Sequence, residues 1–268
     1  MPELAEVEYY RKKWDPGIGE TIQHILVNHN SAVFKKFKAL PSLNSLVGKK
    51  LISSQCHGKQ MLFILSKGTW LSIHLGMTGN LRAANLEEPR EKHDHLVLLL
   101  EKRSLIFSDP RTFGQIKWGS QSNSNGIPTW WQDLPPTILS EDFNLERLVI
   151  ATKRHKKCNV KALLLKQEYF PGIGNWMADE ILWQTKIHPK RLSMQLTKQE
   201  LHDILKKCRS ISRVAMRIIG TNWGDLPNDW LFNHRWKDGG RCPIDGTPLI
   251  REKISGRTTC YCPFCQNR

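Results

Sequence analysis

The stretch Phe170-Pro171-Gly172-Ile173-Gly174-Asn175 interrupts a region that otherwise has helical periodicity. Proline cannot continue a helix, and glycine adopts backbone conformations that other residues avoid, so this composition predicts a turn. Residues 176–185 resume a helical pattern, which Pro189 closes. The sequence therefore predicts helices joined by a tight turn, within a helical region from Phe143 to Ile219.

The same turn has a chemical interpretation. Gly172-Ile173-Gly174-Asn175 at the start of a helix would present backbone N–H groups and the positive end of the helix dipole, which together suit one phosphate group. The side chain of Asn175 could add a donor. A plain loop between two core helices would need the same glycines, so both interpretations stay open.

Basic residues are concentrated in the middle of the chain. The sequence has 40 Lys and Arg against 25 Asp and Glu, a net charge of +15. Residues 147–217 hold 16 of the basic residues and 5 of the acidic ones, whereas residues 1–146 hold 17 and 15. A cationic region on an otherwise balanced protein is typical of nucleic-acid binding. An anionic membrane is the weaker alternative, because no amphipathic anchor accompanies the charge.

The region before residue 119 has a different pattern. Short apolar runs alternate with turns rich in Gly, Asn and charged residues, which predicts antiparallel strands in a sandwich or barrel. The predicted strands, which follow a short helix at residues 3–14, are Ile22–Val27, Met61–Leu65, Trp70–Leu75, Leu96–Leu100, Ser104–Phe107 and Gln115–Trp118. Residues 119–136, rich in Ser, Asn, Gly and Pro, predict a linker.

The last 27 residues contain four of the seven cysteines. Cys242-Pro-Ile-Asp245 and Cys262-Pro-Phe-Cys265 have the spacing of two zinc knuckles, except that Asp245 stands where a thiolate is expected. We expect one structural Zn²⁺ with Cys242, Asp245, Cys262 and Cys265 as ligands. Cys260 as the fourth ligand and a metal-free hairpin remain alternatives.

Together these patterns predict an α+β protein in three parts. Residues 1–130 form an N-terminal antiparallel β-sandwich with flanking helices, residues 131–222 a helical DNA-binding domain, and residues 223–268 a C-terminal β-hairpin zinc finger. No apolar run approaches the ~20 residues that span a membrane, and the acidic start is unlike a signal peptide. We expect a cytoplasmic, nucleoid-associated monomer that does not bind membranes.

The run Pro2-Glu3-Leu4-Ala5-Glu6-Val7-Glu8 follows Met1. Removal of Met1 would give Pro2 a free secondary amine, and because an α-amino group has a pKa of about 8, part of it is unprotonated at neutral pH. Such an amine can attack a sugar C1′ and form an iminium ion, while Glu3 transfers protons. The competing interpretation is that Pro and Glu only begin and cap a helix.

Further short motifs accompany this run: Gly58-Lys59, His74–Gly79, His93–His95, Asp109–Gly114, Pro171–Leu182 and Gly256–Thr259. In this order they resemble the motifs of the formamidopyrimidine-DNA glycosylase and endonuclease VIII family of base-excision repair enzymes. The resemblance spans nearly the whole chain. It implies that the helical domain is a helix–two-turn–helix domain and that the ligand is damaged double-stranded DNA.

The resemblance also implies residue roles. Pro2 corresponds to the nucleophile, Glu3 to the acid/base that opens the deoxyribose ring, and Glu6 to a supporting residue of the same pocket. Side chains implied to grip phosphates around the damaged nucleotide are Lys59, His74, Asn175 and Arg257, and Lys59 is also counted with Pro2, Glu3 and Glu6 as catalytic. Those implied to fill the vacated base stack are Met77, Arg111 and Phe113, although core packing is an alternative for the two apolar ones.

The implied activity is that of a bifunctional DNA glycosylase and abasic-site lyase, which excises oxidised bases through a proline iminium and β,δ-elimination. The chain departs from the family at Ala5, at Asp245 and at residues 220–241, which lack the longer loop that covers a flipped oxidised purine. We therefore expect ring-opened purines, hydantoins or abasic sites to be processed better than 8-oxoguanine. The alternative is a non-catalytic or lyase-only damaged-DNA-binding protein on the same scaffold.

Overall fold

A computed structural model describes residues 1–28, 31–35, 42–121 and 126–267. The chain divides into two compact units, one of Met1–Pro2 and Glu6–Leu134 and one of Glu3–Ala5 and Pro135–Arg268. The division falls in the predicted linker at 119–136, whose residues Ser122–Asn125 lie outside the described part. The three-part division at residues 130 and 222 stays a prediction. None of the helices in the described residues is long and apolar enough to cross a membrane.

Up to residue 134 the chain forms eight strands and three short helices within the described residues. In chain order these are α1 Leu4–Lys12, β1 His24–Val27, α2 Ala32–Lys35, β2 Leu51–His57, β3 Gln60–Leu65, β4 Thr69–His74, β5 Asn80–Ala84, β6 Asp94–Leu99, β7 Ser104–Ser108, β8 Gln115–Ser120 and α3 Thr129–Gln132. All their pairings are antiparallel, in the sheet orders β1-β6-β7-β5 and β2-β3-β4-β8.

The two sheets share one apolar core, as the predicted sandwich requires. Alternate residues of β6 and β3, such as Leu96, Leu98 and Phe63, join the same buried cluster. This follows from strand geometry, because every second side chain points to the same face. All six predicted strands are present, and β2 and β5 are additional. Each of these two reads as a mixture of polar and small residues rather than an apolar run, which is why the sequence does not reveal them.

Beyond residue 134 the described chain is helical and then ends in a hairpin. Its main elements are α4 Leu145–Arg154, α5 Val160–Leu164, α6 Asn175–Gln184, α7 Lys198–Asn222, β9 Ile250–Ile254 and β10 Arg257–Tyr261. Helix α7 begins with a capping box in which Thr197 and Glu200 satisfy each other's backbone N–H groups. The predicted hairpin is confirmed: Ser255 and Gly256 both have positive φ, of 49° and 77°, as a tight two-residue turn requires.

A buried ionic cluster connects the elements of the second unit. Asp179 of α6 is 1 % exposed and pairs with Lys161 of α5 and with Arg235. The same carboxylate accepts the backbone N–H of Cys260 in β10 at 3.1 Å. Lys161 also donates to the carbonyl of Asn175 at 2.6 Å. Because burial of unpaired charge is costly, these contacts hold α5, α6 and the hairpin in one arrangement.

We predict that Asp179→Asn destabilises the protein by about 3 kcal/mol or more, because it leaves two buried cations without a compensating charge. The measurement is the free energy of unfolding in denaturant. Asp203→Asn is the matched control: Asp203 is half-buried on α7 and forms no ion pair among the described residues, so this substitution should change stability by less than about 0.5 kcal/mol. Equal effects of the two substitutions would contradict the structural role of the cluster.

Candidate active site and metal centre

The carboxylate of Glu3 lies at the N-terminal end of α6. Its Oε2 accepts hydrogen bonds from the backbone N–H groups of Gly174 and Met177, at 2.9 and 3.1 Å, and its Oε1 accepts one from Trp176 at 2.9 Å. Glu3 is 2 % exposed. Three amide donors and the positive end of the helix dipole stabilise negative charge at this point. The fold thereby fixes a buried carboxylate on the residue that follows Pro2.

Two glycines make room for this contact. A Cβ on Gly174 would lie 2.2 Å from the carboxyl carbon of Glu3, which no side chain could tolerate. Gly172 has a positive φ of 91°, and its carbonyl accepts the N–H of Leu4 at 3.1 Å. The glycines predicted to seat a phosphate therefore accommodate the chain's own N-terminal segment. The phosphate interpretation is wrong for the three amides that Glu3 occupies.

The remaining residues predicted to be catalytic belong to the first unit. Pro2 is half-buried ahead of α1, and Glu6 is half-buried in the first turn of that helix. Lys59 is 9 % exposed and follows Gly58, whose φ of 57° allows the tight turn between β2 and β3. The ammonium group is therefore carried on a short turn between two paired strands.

The predicted wedge residues lie in two loops of the first unit that contact each other. Met77 is half-buried in the turn after β4, whereas Arg111 and Phe113 are exposed in the loop before β8. The guanidinium of Arg111 stacks over the Phe113 ring at 4.7 Å. Gly76 is required at the contact, because a Cβ there would lie 2.5 Å from the Phe113 backbone. Loop placement rather than core packing accounts for the exposed Phe113 ring.

Asp109 organises both of these loops. This fully buried carboxylate accepts from the Thr78 hydroxyl at 2.6 Å and from the backbone N–H groups of Arg111 and Gly114, at 3.2 and 2.7 Å. Its carbonyl lies 2.9 Å from His95 Nε2. The sequence contains Asp109 in a recognisable motif, yet its bracing role is not visible until the loops are seen in contact.

His74 ends β4 with a defined hydrogen-bonding geometry. Its Nδ1 accepts the backbone N–H of Gly76 at 3.0 Å. Because a neutral imidazole has one donor and one acceptor nitrogen, this contact assigns the proton to Nε2. The predicted phosphate contact would use that Nε2–H group.

In the second unit, two asparagines hold the hairpin against the helices. Asn175 donates through Nδ2 to the carbonyl of Thr258 at 2.7 Å, and Asn159 donates to the Ser255 hydroxyl at 2.8 Å. The Oδ1 atom of Asn175 is buried without a hydrogen-bond partner in the described structure. Arg257, the first residue of β10, is exposed next to this contact. Asn175 and Arg257 thus share one surface.

The four predicted metal ligands converge. Their ligand atoms, from Cys242, Asp245, Cys262 and Cys265, all lie within 4.8 Å of one another. The Cys242 and Cys265 sulfurs are 3.8 Å apart, and Cys262 Sγ is 3.6 Å from Asp245 Oδ2. Tetrahedral sulfur ligands at about 2.3 Å from a zinc ion would be about 3.8 Å apart. The cluster can hold a metal ion.

Cys260 has a different environment. It is 1 % exposed on β10, its backbone N–H donates to Asp179, and it is not among the cluster ligands of the described residues. Backbone and indole groups instead surround the cluster sulfurs, since Cys265 N–H donates to Cys262 Sγ and Trp183 Nε1 to Cys242 Sγ, both at 3.4 Å. Such N–H donors stabilise thiolates. The geometry therefore favours Asp245 over Cys260 as the fourth ligand.

Glu180 of α6 anchors the segment that follows α7. Its Oε2 accepts the backbone N–H of Phe232 at 2.9 Å, and its Oε1 accepts Gln184 Nε2 at 2.8 Å. The carboxyl group is fully buried, and this burial raises its pKa from the ordinary 4.5 to about 7. The Glu180 side chain thus changes charge near neutral pH while it holds residues 231–234, a single helical turn.

An aromatic row follows from this anchoring. The Phe232 ring makes edge-to-face contacts with Trp176, at 4.9 Å, and with Trp236, at 5.1 Å. Trp176 is buried, and its backbone N–H donates to Glu3 Oε1, whereas Trp236 is 55 % exposed. The region that departs most from the resembled family therefore contributes Phe232 and Trp236 to an aromatic row that begins at Trp176 of α6.

The sandwich, the helical unit with its buried N-terminal carboxylate, and the C-terminal hairpin with its cluster of four potential metal ligands define the architecture of a DNA-repair glycosylase. Residues 1–116 match the formamidopyrimidine-DNA glycosylase N-terminal domain, and residues 134–224 match the formamidopyrimidine-DNA glycosylase H2TH domain. The chain belongs to the formamidopyrimidine-DNA glycosylase family.

Individual relatives agree over their whole lengths. The formamidopyrimidine-DNA glycosylases of Enterobacter sp. (strain 638) and Carboxydothermus hydrogenoformans are each 33 % identical, over 99 % of this chain and 100 % of theirs. The Lactococcus lactis enzyme bound to DNA with an abasic site has a TM-score of 0.84 at 28 % identity, covering 99 % of this chain and 100 % of that one. MutM in complex with carbocyclic 8-oxo-G DNA gives 0.85 at 29 %, with both chains fully covered.

Glu180→Gln should alter how stability depends on pH. Because the folded-state pKa is raised, the native protein retains a proton that the unfolded chain loses above its lower pKa. The raised pKa of Glu180 therefore adds about 3 kcal/mol to the free energy of unfolding below about pH 4.5. This contribution is lost as the pH rises through about 7. Unfolding free energies across this range should show a decrease that Glu180→Gln lacks. Exposed Glu146→Gln should keep the wild-type profile, and parallel profiles of wild type and Glu180→Gln would contradict the assignment.

Proposed function

We propose that this protein is a bifunctional DNA glycosylase and abasic-site lyase that acts on oxidised bases in double-stranded DNA. The observation that carries the proposal is the Glu3 carboxylate, buried and held by three amides at the residue following Pro2. A glutamate that only capped a helix would not need an amine on the preceding residue. An amine nucleophile, in contrast, requires a fixed acid/base beside it.

The proposed chemistry begins after Met1 is removed. The Pro2 nitrogen attacks C1′ of the damaged nucleotide and the glycosidic C1′–N bond breaks. The base leaves with the proton that the Pro2 nitrogen gives up. Glu3 then donates a proton to O4′ as the C1′–O4′ bond opens, which gives an iminium ion between Pro2 and C1′. Loss of a C2′ proton allows elimination of the 3′ phosphate, and a second elimination releases the 5′ phosphate.

The other predicted residues position the DNA. Cationic and amide side chains hold phosphates, and apolar side chains offset part of the few kcal/mol that base extrusion costs. We assign Lys59, His74, Asn175 and Arg257 to phosphate contacts, Met77, Arg111 and Phe113 to the wedge, and Glu6 to support of the nucleophile's pocket. In this assignment Asp109 positions the wedge loops through its contacts with both.

For the lesion itself we propose that ring-opened purines, hydantoins and abasic sites are processed better than 8-oxoguanine. Residues 220–241 lack a long polar loop, and this region instead holds the exposed Trp236 and Phe232, which packs against the buried Trp176 of α6. Aromatic faces stack on any base, whereas hydrogen-bond donors and acceptors read a particular base edge. Recognition through stacking would favour lesions that already stack poorly in the duplex.

A panel of duplexes, each with one lesion, tests both statements. Abasic duplex should be cut at the lesion with a phosphate left on each side, and hydantoin or ring-opened purine should be cut faster than 8-oxoguanine opposite cytosine. Protein that retains Met1 is the control and should cut nothing, because its α-amino group is displaced by one residue.

Different results separate the alternatives. A non-catalytic binder would shift abasic duplex in a gel and leave both strands whole, whereas a lyase-only protein would cut the abasic duplex and no duplex with a damaged base. Faster cutting of 8-oxoguanine than of all other lesions would reject the proposed lesion preference alone.

We further propose that the ligand cluster holds one structural Zn²⁺. The donors fit, because thiolates dominate structural zinc sites and carboxylate oxygen is an accepted ligand. Zinc would fix the two knuckles that support the hairpin and Arg257, without a part in bond breaking. The protein would act as a monomer in the cytoplasm, on nucleoid DNA.

Elemental analysis should find one zinc per chain, and chelation should weaken DNA binding more than it unfolds the protein, because both units have their own cores. Asp245→Cys should slow zinc loss to a chelator, since thiolate is the softer ligand. Cys260→Ser, the matched control, should not change that rate. If Cys260→Ser releases zinc and Asp245→Ala does not, Cys260 is the ligand, and zinc-free purified protein would exclude the site.

A further inference from the structure

Helix α7 carries a row of basic residues that none of the site geometry above uses. We define the basic stripe as Lys198, His202, Lys206, Arg213 and Arg217, all of which are exposed. With 3.6 residues per turn, the five side chains fall within about 100° of one another and extend over about 28 Å. They therefore lie along one side of the helix, on either side of Arg209.

The stripe faces away from α6. Most of the buried residues of α7 lie on the opposite side of the helix and pack towards α4 and α6, namely Leu201, Ile204, Leu205, Cys208, Ile211, Ser212, Ala215 and Ile219. Gly220, at the end of the helix, is buried on the side of the stripe. The Glu3 contact and Asn175 are on α6. The side of α7 that carries the stripe is therefore not the side that packs towards α6, the helix that begins with Asn175.

Within the described part of the chain, the cations of the stripe are not paired with carboxylates. Among the described residues, no carboxylate forms an ion pair with any of its five members. By contrast, Arg209 lies on the same side of α7 but is half-buried and donates to the carbonyls of Ser140 and Phe143, at 3.1 and 2.8 Å. Glu200, at the start of α7, pairs with Arg191 outside the helix. Asp203 is the one other acidic residue of α7.

We propose that the basic stripe is a second DNA-binding surface, which holds undamaged duplex through its phosphates. The proposal rests on the proposed function only in taking duplex DNA as the ligand. About 28 Å of duplex carries roughly 16 phosphates, so a straight row of cations finds partners in any register. Ammonium and guanidinium groups donate to phosphate oxygens whatever the base sequence, which suits non-specific holding. A membrane surface fits less well, because the apolar face of α7 is already buried in the protein core.

The test compares two triple variants. Lys206→Gln/Arg213→Gln/Arg217→Gln removes three charges, and Lys206→Arg/Arg213→Lys/Arg217→Lys keeps them. Binding to a long undamaged duplex is measured over a series of salt concentrations. The charge-removing variant should bind about tenfold more weakly at low salt, with a slope of log K against log salt that is smaller by about 2 to 3, because each phosphate contact contributes about 0.9. The charge-keeping variant should match the wild type.

Single-turnover cleavage of a short abasic duplex, with about one helical turn on each side of the lesion, separates this proposal from the proposed function. Cleavage should be the same in all variants. If no variant cleaves, the proposed function fails, while the salt slopes still test whether the basic stripe contacts DNA phosphates. An unchanged slope in the charge-removing variant would overturn the proposal, as would equal losses in both triple variants.

Two further measurements guard against misfolding and against a different ligand. Lys206→Gln and Arg213→Gln, as single exposed substitutions with wild-type thermal unfolding, should each lower the slope by about 0.9. Vesicles containing phosphatidylserine should not distinguish the wild type from the charge-removing variant. Loss of vesicle binding without loss of DNA binding would assign the stripe to a membrane and overturn the proposal.

Discussion

The hydrogen bonds between the Glu3 carboxylate and the first turn of α6 are the contact on which the site depends. One carboxylate satisfies three backbone amides that a helix start would otherwise leave without partners. The same contact fixes the residue next to the proposed nucleophile. The requirement for glycine at position 174, the path of the N-terminal segment and the placement of Trp176 all follow from it.

Around this contact, buried charges link the parts of the second unit. Asp179, one turn further along α6, connects α5, Arg235 and the hairpin, while the neighbouring Glu180 holds the segment with Phe232. Helix α6 therefore contacts the Glu3 carboxylate, which we propose as the acid/base, as well as the aromatic row and the strand that begins with Arg257.

The sequence was informative where a signal is local. The turn at Pro171–Asn175, the six apolar strands and the spacing of the cysteine ligands were all predicted, because periodicity and ligand spacing are properties of neighbouring residues. Strands β2 and β5 were missed, because their residues are polar or small. The phosphate interpretation of the α6 amides failed for a different reason: Glu3 is 171 positions away from Gly174, and no local pattern reports such a contact. The contacts that Asp109 makes with Thr78 and Asp179 makes with Cys260 are also distant in sequence, and no local pattern predicts them.

The central claim is that the amine of Pro2 forms the covalent bond to DNA. The direct measurement is mass-spectrometric sequencing of the conjugate that borohydride traps on abasic duplex. If Pro2 is the nucleophile, the conjugate carries a reduced sugar remnant on the nitrogen of Pro2 and none on Lys59, in protein that has lost Met1. A remnant on a lysine side chain, or an equal yield of conjugate from protein that retains Met1, would contradict it.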